Sequence, residues 1–276
     1  MKTNITTTES ASSYNHLENM TVREILVNIN HEDNQVAKAV KKAIPQIESL
    51  VNVIAQQILS GGRLFYIGSG SSGRLGVLDA AEIPPTYGMP DNIVIGIIAG
   101  GDTAIRKAVE HAEDDEHQAW IDLKQFDISK KDILIGISAS GRTPYVVGGV
   151  SSARQNGILT GCITCNKGSQ LSACVNYPIE VIVGAEFVTG STRMKAGTAQ
   201  KMILNMISTA TMVRLGRVKD NKMVDMKVTN SKLVDRGIRI IQETMNVDEQ
   251  MATALLKKYG SIREVISREK PSLNLD

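Results

Sequence analysis

The chain is poor in aromatic residues and carries no excess of charge of one sign. It has 276 residues but only three Phe, one Trp and six Tyr, which leaves few rings on which nucleic-acid bases could stack. Its 31 Lys and Arg residues nearly balance 29 Asp and Glu residues, so the formal net charge is +2. Because such a chain has no strong positive field to hold a phosphate backbone, we expect no nucleic-acid partner.

Long apolar segments are also missing. No stretch approaches the roughly 18 apolar residues that a membrane-spanning helix needs, and the first 20 residues are polar and lack the apolar centre of a signal peptide. These absences predict a cytosolic protein with no membrane partner. The composition, 42% hydrophobic and 22% charged, is typical of a globular protein, and a chain of this length can bury a core without disulfides.

Cysteine is scarce too, with three residues in the chain. Cys162 and Cys165 have the C-x-x-C spacing of some metal and redox sites. A zinc site needs four ligands, but only Cys174 lies nearby and no histidine occurs between residues 118 and 276. The alternating, β-branched surroundings favour a buried strand. We interpret these thiols as packing groups, and we expect neither a metal nor an organic cofactor.

Short apolar runs alternate with helical patterns through the middle of the chain. The runs lie at 64–67, 93–98, 133–137, 159–164 and 179–183, and the helical patterns at 73–81, 102–121, 145–156 and 169–174. Continuous apolar runs suit strands that are covered on both faces. The alternation therefore predicts an α/β fold with a five-stranded, parallel, doubly wound sheet. In such folds ligands bind at the carboxyl ends of the strands.

The flanking segments predict three regions. Residues 1–20 are polar and indicate an N-terminal arm. Helical patterns at 21–29 and 36–58 come before the first strand, and Pro45 is expected to kink or break the second of them. A helix at 191–215 and three short amphipathic helices follow the last strand. We therefore predict an arm over 1–20, an α/β domain over 21–216 that includes the N-terminal helices, and a small C-terminal helical region over 217–276.

Two loops rich in serine and glycine follow the first and third strands. The first is GSGSSGRLG at 68–76, with Ser69, Ser71 and Ser72; the second is SASGRTPY at 138–145, with Ser138, Ser140 and Thr143. Such residues make good turns for purely structural reasons. Glycines, hydroxyls and the free N–H groups of a following helix also suit an anion. Two such loops at one edge of a sheet favour a phosphorylated small substrate. Neither a Walker lysine nor a convincing dinucleotide fingerprint is present.

Longer blocks of sequence carry a specific resemblance. They are INHEDNQVAKAV (29–40), GGRLFYIGSGSSGRLGVLDAAEIPPTYG (61–88), IIAGGDTAIRKAVEHAEDD (97–115), GISASGRTPYVVGG (136–149), GSTRMKAGTAQKMILNMISTA (190–210) and MVDMKVTNSKL (223–233). The serine loops resemble the sugar isomerase (SIS) domain, and the blocks together resemble the N-acetylmuramic acid 6-phosphate etherase family over most of residues 21–245. The resemblance implies an SIS-type phosphosugar domain that generally pairs into a homodimer.

Two glutamates gain a role only through this resemblance. Glu82 lies in a largely apolar stretch, before two prolines that we expect to end the helix there. Glu113 adjoins three further acids late in the predicted helix 102–121, where a solvated helix face is the simpler interpretation. In the family, the matching positions are the catalytic acid and base. Their mutual proximity and burial are expected to raise at least one carboxyl pKa.

The resemblance also implies a reaction. The family cleaves the lactyl ether of N-acetylmuramic acid 6-phosphate with water, and yields N-acetylglucosamine 6-phosphate and D-lactate by elimination and hydration. That chemistry makes the protein a carbon–oxygen lyase of amino-sugar metabolism. Two other functions stay open: an aldose–ketose phosphosugar isomerase, and a regulator that binds phosphosugars without catalysis.

Other candidate residues are less specific. Glu186 follows the fifth strand, where SIS domains often have a functional acid, but it is equally suited to the start of the next helix. Arg193 and Lys195 suit either substrate anions or local pairing. The chain departs from the family pattern in its arm, where Thr8-Glu9-Ser10-Ala11-Ser12 replaces T-E-x-R-N, and in one loop, where Gly184-Ala185-Glu186 replaces G-P-E. Its carboxyl end is also shorter than the family pattern leads us to expect. The first change puts in doubt any contact of the arm with the substrate or a second subunit.

Overall fold

The computed structural model describes residues 6–228 and 231–269. Within them the chain forms two compact units. The first comprises the described residues of 1–81 and 92–211, and the second those of 82–91 and 212–276.

The first unit is built on a five-stranded parallel sheet, as predicted. The strands are β1 (Leu64–Gly68), β2 (Val94–Ile98), β3 (Ile133–Ile137), β4 (Leu159–Thr164) and β5 (Tyr177–Glu180). Their order is β2-β1-β3-β4-β5. Every residue of the central strands β1 and β3 is buried, which explains why both read as continuous apolar runs.

Helices flank this sheet. They are α1 (Val22–Asp33), α2 (Val36–Leu59), α3 (Gly70–Tyr87), α4 (Thr103–Arg106), α5 (Gln118–Lys124), α6 (Pro144–Gln155), α7 (Gln170–Ala173) and α8 (Lys195–Arg214). The N-terminus of α1 is closed by a capping box between Thr21 and Glu24. The apolar stripe of α2 is buried at positions three or four residues apart, as its period predicts.

Three helix predictions differ from the structure. A helix over 102–121 was expected, but only α4 and α5 form there, and residues 107–117 run between them without helix. Pro45 does not break α2, which continues to Leu59. The two prolines after Glu82 do not end α3 either. They occupy its last turns, where each proline removes one internal N–H donor but the buried side chains of Ile83 and Tyr87 keep the helix packed.

The second unit has its own apolar core. Its elements are the two-stranded antiparallel pair β6 (Val218–Lys219) and β7 (Lys222–Met223), and the helices α9 (Ser231–Met245), α10 (Glu249–Tyr259) and α11 (Ile262–Arg268). The core residues include Val224, Ile241, Ala252 and Val265. Asp248 and Ser261 cap α10 and α11 by accepting bonds from backbone N–H groups.

The cysteines lie where the strand interpretation expects them. Cys162 and Cys165 are buried and unpaired at the end of β4, and burial raises the pKa of each thiol to about 12. Such thiols are protonated and unreactive at neutral pH. No helix over residues 6–228 and 231–269 combines the length and the apolarity that crossing a lipid bilayer requires.

Candidate active site

A polar cavity of about 380 Å³ opens where β1 and β3 end. It brings together all six hydroxyl residues that the two loops predicted, together with Glu113; the six are Ser69, Ser71, Ser72, Ser138, Ser140 and Thr143. Its wall also contains four polar residues that were not predicted as a group: Glu9, Ser191, Thr192 and Arg193. The carboxyl edge of a parallel sheet is where this architecture is expected to bind ligands.

The second serine loop is held by its own hydroxyls. Ser138 Oγ lies 2.8 Å from Thr143 Oγ1 and 3.3 Å from Ser140 Oγ, and it accepts a bond of 3.1 Å from the N–H of Gly141. Pro144 then begins α6, so the loop leads directly into a helix N-terminus. This arrangement supplies hydroxyl donors and a positive helix end to an anion in the cavity.

The first serine loop depends on close backbone approach. A Cβ atom on Gly68 would lie 2.7 Å from the nitrogen of Gly73, and one on Gly73 would lie 2.6 Å from a side-chain carbon of Ile98. Only glycine therefore lets α3 start directly above the end of β1. Ser72, which is buried, donates from its hydroxyl to Oε1 of the buried Gln200 on α8 at 3.0 Å, and that bond fixes one wall of the cavity.

Glu113 is positioned by both serine loops. Its Oε2 accepts a bond of 2.6 Å from the hydroxyl of Ser69 in the first loop. Its backbone carbonyl accepts a bond of 3.0 Å from the N–H of Tyr145, at the start of the helix after the second loop. A carboxyl group held by a hydroxyl at the cavity wall can take a proton there as the carboxylate, or give one as the acid.

Glu82 belongs to the second unit, on the last turns of α3, and it is not among the residues that line this cavity. The expectation that the two glutamates are buried is wrong for the described chain, because Glu82 and Glu113 are both exposed. The simpler interpretation of Glu113 as part of a solvated helix face fails as well, since no helix forms there and its carboxylate is engaged by Ser69.

Glu186 does not line the cavity. It is 1% exposed, and its two oxygens accept bonds of 2.9 Å each from the backbone N–H groups of Lys195 and Ala196 at the start of α8. Burial raises the pKa of Glu186, and these N–H groups partly oppose that rise. The geometry is that of a helix cap, which favours the structural interpretation of Glu186 over a substrate-binding one. Lys195 is likewise buried and pairs with Glu32, whereas Arg193 faces the cavity.

The N-terminal arm reaches this site. Thr8 is fully buried, and its N–H donates to Oδ1 of Asn166 at 3.2 Å. The amide nitrogen of Asn166 donates to Thr8 Oγ1 at 2.9 Å and to the carbonyl of Ala139 at 3.1 Å, inside the second serine loop. Glu9, which follows Thr8, lines the cavity and lies 3.6 Å from Arg142. The Thr8-Glu9 match to the family pattern was the only signal of this contact.

One buried acid lies beneath the first serine loop without facing the cavity. Asp79 on α3 is 5% exposed, and its Oδ1 accepts a bond of 2.9 Å from Ser208. Burial raises the pKa of Asp79 to about 6. The buried hydroxyl of Tyr66 interacts with this carboxyl and, like the bond from Ser208, partly opposes that rise. The apolar pattern of α3 gave no reason to single it out as a site residue.

No cluster of three or more His, Cys, Asp or Glu side chains with metal-binding geometry occurs among residues 6–228 and 231–269. The functional groups around the cavity are hydroxyls, backbone N–H groups, two carboxylates and one guanidinium.

Family models match three parts of the chain. Residues 44–154 match the glucokinase regulatory protein N-terminal SIS domain, residues 112–210 match the SIS domain, and residues 220–270 match the C-terminal lid domain of glucokinase regulatory protein.

Solved structures share the fold. A phosphoheptose isomerase from Francisella tularensis has a TM-score of 0.55 at 18% identity, covering 70% of this chain and all of its own. The phosphoheptose isomerase from Neisseria gonorrhoeae has a TM-score of 0.54 at 17% identity, covering 69% of this chain and 98% of its own. At this level of sequence identity, the similarity shows a shared fold and nothing about function.

Curated relatives that carry the name N-acetylmuramic acid 6-phosphate etherase are much more similar in sequence. The protein of Christiangramia forsetii is 61% identical over 97% of both chains, and that of Bacteroides thetaiotaomicron is 58% identical over 94% of both. The protein of Staphylococcus aureus strain USA300 is 53% identical over 91% of this chain and 85% of its own. Identity of this extent makes the chain a member of the N-acetylmuramic acid 6-phosphate etherase family.

Proposed function

We propose that the protein is a carbon–oxygen lyase that cleaves the lactyl ether of N-acetylmuramic acid 6-phosphate with water. The products are N-acetylglucosamine 6-phosphate and D-lactate. The observation that carries this proposal is the 53–61% identity, over more than nine-tenths of the chain, to etherases of that name. The polar cavity supports it, because its hydroxyls and the carboxyl group of Glu113 are groups that a phosphosugar eliminase requires.

The phosphate of the substrate binds at the second serine loop. Ser138, Ser140 and Thr143 donate from their hydroxyls, and the N-terminus of α6 adds a positive dipole. Ser71 and Ser72 also line the cavity, and they contact the sugar. Arg193 supplies the positive charge that a dianionic phosphate favours.

Elimination needs an acid and a base. Opening of the sugar ring exposes an aldehyde at C1, which acidifies the C2 proton. A base removes that proton while an acid protonates the lactyl oxygen, so that the C3–O bond breaks and D-lactate leaves. Water then adds at C3 of the unsaturated aldehyde with the proton roles reversed. We assign these roles to Glu113, which lines the cavity, and to Glu82, which does not line it in the single chain. The role of Glu82 as donor to the lactyl oxygen is carried by the family resemblance alone.

Release of D-lactate from N-acetylmuramic acid 6-phosphate tests this function. A coupled D-lactate dehydrogenase assay should detect stoichiometric lactate and N-acetylglucosamine 6-phosphate. An aldose–ketose isomerase would convert phosphosugars without lactate. Absence of lactate, with or without such conversion, would contradict the proposal.

A regulator that only binds phosphosugars is the second candidate. The matches to two glucokinase regulatory protein models, at 44–154 and 220–270, are the observation in its favour. A regulator has no need of a carboxylate at the cavity wall, whereas Glu113 is held there by two hydrogen bonds. In the assay above, such a protein would bind the substrate and leave it intact.

The assembly that fits this function is a homodimer. Helix α1 has no buried residue in the single chain, and its apolar residues Val22, Leu26 and Val27 are 73%, 60% and 58% exposed. Apolar side chains exposed together on a helix favour an interface, and a symmetric pair is the commonest assembly.

The predicted division at residue 216 and the cytosolic location remain predictions, as does a role in breaking down cell-wall amino sugars.

A further inference from the structure

A second cavity, of about 210 Å³, adjoins the polar cavity. The two share Ser69, Gly70 and Glu113, so the hydrogen bond between Ser69 and Glu113 lies on their common wall. Most of the remaining wall is small and apolar: Ala99, Ala104, Ala108, Val109 and Ala112. We refer to this space as the side cavity.

The side cavity contains one cation that is held in place. Arg74 on α3 is half-buried, and its Nε donates to the carbonyl of Ile105 at 2.9 Å. Among the described residues its two terminal nitrogens form no hydrogen bond and no ion pair. The other titratable groups on this wall, besides Glu113, are the exposed Glu110 and His111. The guanidinium is therefore oriented by the backbone and still has its donors free for an anion.

The order of the strands puts the side cavity at the far end of the site from the phosphate loop. Its residues 99–112 follow β2, and Ser138–Thr143 follow β3, with β1 between them. Neighbouring strands lie about 4.8 Å apart, so the two loops start about 10 Å apart. A hexose whose C6 phosphate binds at the β3 loop, as proposed above, is long enough to reach across β1 towards Glu113 and the β2 side.

We propose that the side cavity is the subsite for the lactyl group, and that Arg74 binds the lactyl carboxylate. This inference rests on the proposed function. The small apolar walls accept the lactyl methyl group, and the guanidinium pairs with the carboxylate through two parallel N–H bonds. The positive charge also offsets the repulsion between this carboxylate and Glu113. Arg74 is thus a specificity-determining residue: it distinguishes the lactyl ether from sugar phosphates that lack a second anion.

Two variants and two ligands test the subsite. Arg74→Met should lower kcat/KM for N-acetylmuramic acid 6-phosphate by about 10- to 100-fold, the usual effect of losing a charged hydrogen-bonded pair. Arg74→Lys keeps the charge and should lose less. Binding of N-acetylglucosamine 6-phosphate, measured by calorimetry, should change less than about twofold in both variants, because this product has no lactyl group. Arg106→Met serves as the control, since this exposed α4 arginine lines neither cavity.

A substrate with its lactyl carboxylate blocked as the methyl ester separates charge recognition from a structural effect. The unmodified protein should prefer the free acid to the ester, and Arg74→Met should abolish that preference. An unchanged kcat/KM for the free acid would overturn the subsite, and so would an equal loss of affinity for product and substrate. These outcomes differ from failure of the proposed function, in which the unmodified protein itself would release no D-lactate.

Discussion

At the scale of single residues, Glu113 shows how neighbours determine the role of an exposed side chain. Its sequence context, a run of acids, favoured a solvated surface. The structure gives it two fixed bonds, one to Ser69 and one to the backbone of Tyr145. Those partners lie 44 and 32 positions away in the chain, so no local pattern of charge or period could reveal them. Only the family resemblance pointed to this position.

Glu113→Gln should lower kcat by about 100-fold or more, the usual contribution of a general acid or base. The glutamine can still accept the bond from Ser69, so binding of N-acetylglucosamine 6-phosphate should persist. Glu116→Gln is the matched control, because this neighbouring acid is exposed and lines neither cavity. Steady-state D-lactate release measures both; equal activity of the two variants would remove Glu113 from the mechanism.

The buried carboxyl of Asp79 is expected to make the free energy of unfolding depend on pH. Burial raises its pKa to about 6 in the folded chain, above the value of about 3.9 for an unfolded aspartate. The folded state therefore holds the proton more tightly, and its stability falls as the pH rises from about 4 to about 6. Asp79→Asn should flatten this dependence and raise the free energy of unfolding at pH 7, by up to about 3 kcal/mol. Chemical denaturation at several pH values measures it.

Asp132 is a buried acid whose pKa is shifted in the opposite direction to that of Asp79. Burial raises the pKa of its carboxyl, but bonds from Arg63 and Ser129 outweigh that effect and lower it. Asp132→Asn should therefore lose stability at pH 7, where the native ion pair is intact. If Asp79→Asn were also destabilised at pH 7, with the pH dependence of the unmodified protein, the account of Asp79 would be wrong.

At the scale of elements, the sequence predicted the strands better than the helices. Continuous apolar runs identified β1, β2, β3 and β4, because strands covered on both faces are mostly apolar. The run at 179–183 is displaced from β5 (Tyr177–Glu180), an edge strand in which only Ile179 is buried. The prediction of a single helix over 102–121 was wrong because two short helices joined by turns have the same apolar spacing. The predictions that Pro45 breaks α2 and that the prolines after Glu82 end α3 were wrong because packing of buried side chains outweighs the loss of single N–H donors.

The arm is the element whose function the sequence left in doubt. Its contacts join Thr8 to Asn166, and Asn166 to the second serine loop, across more than 150 positions of the chain. A short segment without periodic pattern carries no signal of such pairing. The structure makes the arm part of the cavity wall through Glu9.

Thr8→Ala should release the arm. It removes the hydroxyl that accepts from Asn166 and leaves that buried amide with one partner fewer, at a cost of about 1 kcal/mol. We expect Tm to fall by about 2–4 °C and limited proteolysis to cut the arm faster. Ser13→Ala, at an exposed arm position without a hydrogen bond among the described residues, is the control. Equal protease sensitivity of the two variants would show that the Asn166 contact does not hold the arm.

At the scale of the whole molecule, the apolar face of α1 predicts self-association. Leu26→Glu places a charge at a position that is 60% exposed in the single chain, so folding should be unaffected while a dimer buried there dissociates. Light scattering at micromolar concentration should give a dimer for the unmodified protein and a monomer for the variant. Lys41→Glu, on an exposed position of α2, controls for the added charge. A monomeric unmodified protein would contradict the homodimer.

The central claim is that the lactyl ether is cleaved by elimination and hydration at C3, with the sugar held by the two serine loops. Turnover of N-acetylmuramic acid 6-phosphate in water enriched in oxygen-18, followed by mass spectrometry of both products, tests it most directly. The account predicts one oxygen-18 atom at C3 of N-acetylglucosamine 6-phosphate and none in the D-lactate. Label in the lactate, or lactate release without label at C3, would contradict it.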